Sequence, residues 1–136
     1  MTPPGDADVI IAGAGMAGAT LALALASGGL KAVLIDPAPF EAQCAETFDG
    51  RASAISFSAF RQWRALGAAS FLEPHAQPIE QILVTDGRSP GAAAAPQGGA
   101  WLRFDAAELG AGADGGPMGF MLENRHIRAG LARAVE

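Results

Sequence analysis

A chain of 136 residues with a formal net charge of −5 and hydrophobic side chains at 50% of its positions is sized for one domain with a core of its own. Its basic residues form no block, which argues against a nucleic-acid partner or a strongly anionic membrane surface. Cys44 stands alone, so no internal disulfide is available and a reducing compartment fits; His75 and His126, far apart among unrelated neighbours, suggest no metal site.

Met1 to Gly5, with two prolines and a glycine, reads as a frayed tail. The stretch from Asp8 to Asp36 then reads as strand, glycine turn, helix, strand. Val9, Ile10 and Ile11 run into Gly13-Ala14-Gly15-Met16-Ala17-Gly18, a G-x-G-x-x-G at the end of a predicted strand and the start of a helix. Gly13 serves a tight turn, Gly15 lets a pyrophosphate approach the backbone, and Gly18 lets the helix pack closely on the strands. The helix N-terminus offers free N–H groups and a positive dipole end to phosphate. Alanine and leucine predict a helix from about Gly15 to Ser27, capped by Gly28-Gly29. Ala32 to Ile35 is a buried parallel strand, and Asp36 closes it where a carboxylate would accept hydrogen bonds from an adenosine ribose. The run from Val9 to Leu30 carries no charge and invites a signal-peptide or membrane-helix reading. Acidic Asp6 and Asp8 ahead of it, its glycines, and the continuation into a strand ending in an acid all argue for the βαβ unit instead.

Pro37 to Thr47 is expected to be an irregular connection, with Cys44 as an incidental loop thiol. Phe57, Phe60, Trp63 and Leu66 recur at helical spacing and read as core packing, with Gly67 as the helix stop. Phe71, Leu72 and Pro74 lead into a turn. Ile79 to Thr85, with Ile82 and Val84 on one face, predicts a strand ending in Asp86-Gly87. Ser89 to Gly99 reads as a surface loop, and Trp101 to Phe104 as the strand that returns from it. Asp105 to Pro117 reads as a glycine-rich loop. Met118 to Leu122 is a short apolar stretch, and Glu123-Asn124 opens a last helix, Arg125 to Val135, with Ile127, Leu131, Ala134 and Val135 on one side. Only two strong parallel strands are visible and no strand follows the last helix, so the chain reads as a doubly wound domain cut short.

Three stretches resemble the aromatic-ring flavoprotein monooxygenases of the p-hydroxybenzoate-hydroxylase type, and within them most of all the ubiquinone-biosynthesis hydroxylases. They are the glycine turn with Asp36, the segment DGRASAISFSAFRQWRALG, and GFMLENRHIRAGL. The resemblance implies an α/β fold: the N-terminal part of a Rossmann-like FAD-binding fold, with strands of an interrupting substrate domain. Residues 1–136 would be the N-terminal portion of the FAD-binding domain, with 76–122 belonging to or bordering the substrate-side sheet.

In such enzymes reduced FAD reacts with O2 and oxygen passes to an activated aromatic ring, with NAD(P)H supplying the electrons. The protein's task is to place the flavin and tune its charge. The implied cofactor-binding residues are Gly13, Ala14, Gly15, Ala17, Gly18, Asp36, Arg51 and Arg125. Arg51 also fits unaided, as a guanidinium fork beside a phosphate site, whereas Arg125 read by itself is an ordinary exposed helical arginine. Asp114-Gly115 precedes the ENR segment and is not the family's later Asp-Gly motif. No residue is a candidate acid or base for hydroxylation, so no catalytic residue and no metal ligand is named. The implied partner is a small aromatic substrate, for example a prenylated quinone precursor, in a cytoplasmic protein with peripheral membrane or multienzyme association left open. A small FAD- or NAD-binding module without turnover, or the N-terminal part of a related FAD-dependent reductase, remains the alternative.

Overall fold

The computed structural model describes residues 7–45, 47–84, 102–109 and 116–136. The expected tail at Met1 to Gly5, the Asp86-Gly87 turn, the Ser89 to Gly99 loop, Trp101 and Asp114-Gly115 lie outside the described residues.

The first unit forms with the expected order and pairing, but β2 is not the buried strand expected, since Val33 and Ile35 are exposed. β1 (Val9–Ala12) pairs in parallel with β2 (Ala32–Ile35), Val9 opposite Ala32 and Ala12 opposite Ile35, and α1 (Met16–Ser27) crosses between them. Strong helix formers carry α1, and its last carbonyls, from Ala24 to Ala26, are closed by the N–H groups of Gly28 and Gly29. One polar relay ties α1 to the rest of the molecule: Trp63 Nε1 donates to Thr20 Oγ1 (2.9 Å), which donates to the Met16 carbonyl (2.7 Å).

The second unit is antiparallel. β7 (Gly119–Glu123) lies between β3 (Ala52–Ser56) and β4 (Gln77–Ile79). Pro78 sits in β4, at the sheet's edge, where its missing N–H is tolerated. α3 (Phe57–Ala65), capped by Ser56 Oγ on the N–H of Ala59, and α6 (Asn124–Val135) pack their apolar faces on this unit. Phe60, Leu72, Leu122, Ile127 and Leu131 are fully buried there, with Trp63 and Phe120 close to it. The aromatic stripe is thus core, Phe60 lying 4.3 Å from Phe120 and 6.3 Å from Trp63 between ring centroids.

Four local expectations are corrected. The connection after Asp36 holds a one-turn helix, α2 (Phe40–Gln43), begun by Pro39 in extended conformation. The turn expected around Phe71 and Pro74 is α4 (Ala69–Leu72) followed by a 3₁₀ turn, Glu73–His75, with the proline in its first positions, where a lost N–H costs nothing. The single strand expected from Ile79 is interrupted at Glu80: β4 joins β7, whereas β5 (Gln81–Val84) pairs with β6 (Leu102–Asp105) in a separate sheet. That hairpin with its long connection was expected. The loop expected from Asp105 begins instead with a helical turn, α5 (Ala106–Leu109), whose entry Asp105 Oδ1 fixes by accepting from Ala107 N.

Candidate functional site

The glycine turn is assembled by both strands it joins. Gly13 has φ +102°, a conformation glycine reaches without penalty, and its N–H donates to the Ile35 carbonyl (2.7 Å). At Gly18 a Cβ would overlap the Gly13 carbonyl oxygen, so the absence of a side chain lets α1 start this close to β1. At Gly15 a Cβ would meet nothing within 4 Å. Gly15 therefore borders open space at the N-terminus of α1, where neither a side-chain cap nor an acidic first-turn residue competes for the free N–H groups. Ala17, in that first turn, is exposed.

Asp36 does more than end β2. Its Oδ2 accepts from Ala14 N (2.7 Å) and its Oδ1 from Ala38 N (2.8 Å), so one carboxylate pins both the turn and the chain leaving the strand. These two backbone donors, Ala14 first, hold its carboxyl below the ordinary range, and it is charged at neutral pH. Each oxygen keeps lone pairs for a further donor. Beside it opens a cavity of about 420 Å³ whose walls include Ala14, Asp36, Pro39, Phe40, Ala132 and Val135. A carboxylate, free helix-end N–H groups and an apolar-walled cavity in one place suit a ribose, a diphosphate and a base, the adenosine end of a dinucleotide.

The two arginines lie elsewhere on the molecule's bonding map. Arg51, at the foot of β3 and 67% exposed at its side chain, gives Nε (3.1 Å) and Nη2 (2.7 Å) to Asp49 Oδ2. Among the described residues its side chain makes no hydrogen bond to the glycine turn. Arg125 gives Nε to Glu123 Oε2 (2.6 Å) and places its guanidinium 5.5 Å from the Phe48 ring centroid. Two residues that sequence reasoning did not single out organise this area. Arg128 Nη1 reaches the same Asp49 Oδ2 (2.9 Å), so one carboxylate gathers two guanidinium groups and is held well below the usual carboxylate range by them, Arg51 first. Asn124, buried, accepts from Ser53 Oγ (2.7 Å) through its side chain and donates its backbone N–H to the Arg51 carbonyl (3.0 Å), locking the start of α6 to β3. The signal for Arg128 was present in its spacing, three residues after Arg125 on the same helix, but its partner is 79 positions away.

Another sequence expectation is overturned. His75 and His126 are not apart: their rings stack with centroids 3.8 Å apart and planes at 2°. The 3₁₀ turn and α6 bring them together. Among the described residues no group of three or more His, Cys, Asp or Glu side chains is placed to hold a metal, and no helix is long and apolar enough to cross a membrane.

Residues 8–54, which contain the glycine turn, Asp36 and Arg51, match the FAD binding domain family. Over 125 residues the chain is 40% identical to the ubiquinone hydroxylase UbiL of Rhodospirillum rubrum, an alignment that covers 92% of this chain and 26% of that protein. Residues 8–54 are thus similar to an FAD-binding domain, and most of the chain is similar to about a quarter of a ubiquinone hydroxylase. Among solved structures, the peptidyl tryptophan dihydroxylase QhpG, essential for tryptophylquinone cofactor biogenesis, is similar at a TM-score of 0.56 and 16% identity, over 96% of this chain and 23% of that one. At that identity the likeness concerns the fold. The chain thus spans about a quarter of the length of the relatives it matches.

Proposed function

We propose that this chain is the FAD-binding part of a flavin-dependent monooxygenase that hydroxylates an aromatic ring, on an intermediate of ubiquinone biosynthesis, with O2 and NAD(P)H. The observation that carries this reading is the 40% identity to a ubiquinone hydroxylase over most of the chain. In this reading Gly13, Ala14, Gly15, Ala17 and Gly18 surround the diphosphate at the end of α1, Asp36 accepts from the adenosine ribose, and Arg51 and Arg125 reach the remainder of the cofactor. FAD, when bound, supplies the redox chemistry, and this chain's residues bind and orient it. Residues 76–122 border the substrate side, where a small aromatic compound such as a prenylated quinone precursor is held. The protein acts in the cytoplasm, with access to a membrane surface for an apolar substrate.

In this reading Arg51 exchanges Asp49 for the cofactor, and Arg128 remains to balance that carboxylate. The test is to purify the full-length protein that contains this chain, record its visible spectrum, and follow incorporation of isotopically labelled O2 into a phenolic quinone precursor with NADH or NADPH. A yellow protein that inserts one labelled oxygen atom is expected. A colourless protein that takes up no FAD yet binds NAD tightly would replace this reading with a nucleotide-binding module without turnover, and a yellow protein that oxidises NAD(P)H without inserting oxygen would replace it with a reductase.

A further inference from the structure

The turn that presents Arg51 is shaped by one side chain. Asp49 Oδ1 accepts from the Arg51 N–H (3.1 Å) across Gly50, whose φ of +76° is a left-handed conformation that glycine takes without strain. Oδ2 of the same carboxylate accepts from Arg51 Nε and Nη2, so Asp49 holds both the backbone and the guanidinium of one residue. α6 then fastens this turn at two points about one helical turn apart. The Asn124 N–H donates to the Arg51 carbonyl (3.0 Å), and Arg128 Nη1 donates to Asp49 Oδ2 (2.9 Å).

The two guanidinium groups on Asp49 are not equivalent. The side chains of Arg128 and Asp49 are 22% and 25% exposed, whereas that of Arg51 is 67% exposed. An ion pair open to water is held weakly, because solvent and salt screen it and a long side chain loses rotamer freedom to keep it. The shielded Asp49–Arg128 pair is screened less, so Arg51 is the partner that leaves first. Both guanidinium groups, Arg51 first, hold the Asp49 carboxyl well below the usual range, and it is a charge at neutral pH. Left to Arg51 alone, that charge would compete with a phosphate for its guanidinium; bonded to Arg128 as well, it competes less.

We propose, resting on the reading of Arg51 as a cofactor ligand, that Asp49 and Arg128 are positioning residues for it. Asp49 sets the backbone from which Arg51 reaches FAD, and Arg128 holds the carboxylate when the Arg51 guanidinium leaves it. The test is the FAD dissociation constant of the full-length protein that contains this chain, stripped of flavin and titrated by quenching of flavin fluorescence. Arg128→Gln leaves Asp49 to Arg51 alone and should weaken FAD about tenfold. Adding Asp49→Asn removes the competing charge while its amide oxygen still accepts from the Arg51 N–H, and should restore the affinity to within about threefold of the original. Arg128→Lys keeps a cation beside Asp49 and should also stay within about threefold. In an Arg51→Gln background, Arg128→Gln should change nothing. A loss of equal size in both backgrounds, a loss that Asp49→Asn fails to reverse, or a folded Arg128→Lys protein that loses FAD as Arg128→Gln does would each overturn the inference. If Arg51→Gln by itself leaves FAD affinity untouched, the cofactor role of Arg51 falls and this inference with it, so that single variant tells the two failures apart.

Discussion

The parallel and antiparallel units of this molecule bury their side chains very differently. In β1 and β2, alternate side chains face outward without cover: Ile10 is 68% exposed, and Val33 and Ile35 are exposed with it. In β7 the corresponding alternation ends in a core, with Phe120 and Leu122 buried beneath α3, α4 and α6. The glycine turn is thus carried by a unit whose shape comes from local hydrogen bonds and close backbone approach. The unit that anchors it through the Trp63–Thr20 bond takes its stability from packing between distant segments.

The largest expected effect tests where stability resides. Phe60→Ala removes a fully buried ring and should cost about 3–5 kcal/mol, enough to unfold a marginal domain, whereas Ile10→Ser on the uncovered face should change stability by less than about 1 kcal/mol. Urea denaturation of the two variants decides this, and comparable losses would show that the outer face of β1 is covered in solution.

The next effect separates two roles within the turn. Gly18→Val must displace the Gly13 carbonyl, so it should lower both thermal stability and FAD affinity. Gly15→Val meets no protein atom, so it should leave the melting temperature nearly unchanged while blocking FAD. If Gly15→Val melts as early as Gly18→Val, the space in front of α1 is not open.

The smallest effect is a pH dependence that links the units. Asp36 and Asp49 both titrate below their unfolded value of 3.8, so their contribution is fully present above that value and is lost as pH falls through the lower folded-state values. Melting temperature should therefore hold from neutral pH to about pH 5 and drop below about pH 4. Asp49→Asn should start lower at pH 7 and lose less on acidification. An identical acid profile in the variant would mean that Arg51 and Arg128 do not depend on this carboxylate.

Much of the βαβ unit was legible in the sequence by itself, since the hydrogen bonds that shape its turn and pair its strands lie within residues 8–38. The glycine spacing, the uncharged helix and the acid after β2 follow from sterics and helix-end chemistry, and the structure adds that Asp36 also grips Ala14 and that β2, expected to be buried, leaves Val33 and Ile35 exposed. The aromatic stripe of α3 and the apolar side of α6 were legible for the same reason, as helical periodicity marks a buried face wherever the helix docks. The antiparallel unit was not. A residue's period says which face is apolar but not which segment covers it, so the division of the strand at Glu80 between two sheets was decided by the partners β7 and β6. Asp49's hold on Arg128 and the stacking of His75 on His126 join residues with no sequence signature in common. They arise because docking α6 against β3 and α4 brings those side chains within reach, a distance only the tertiary structure sets.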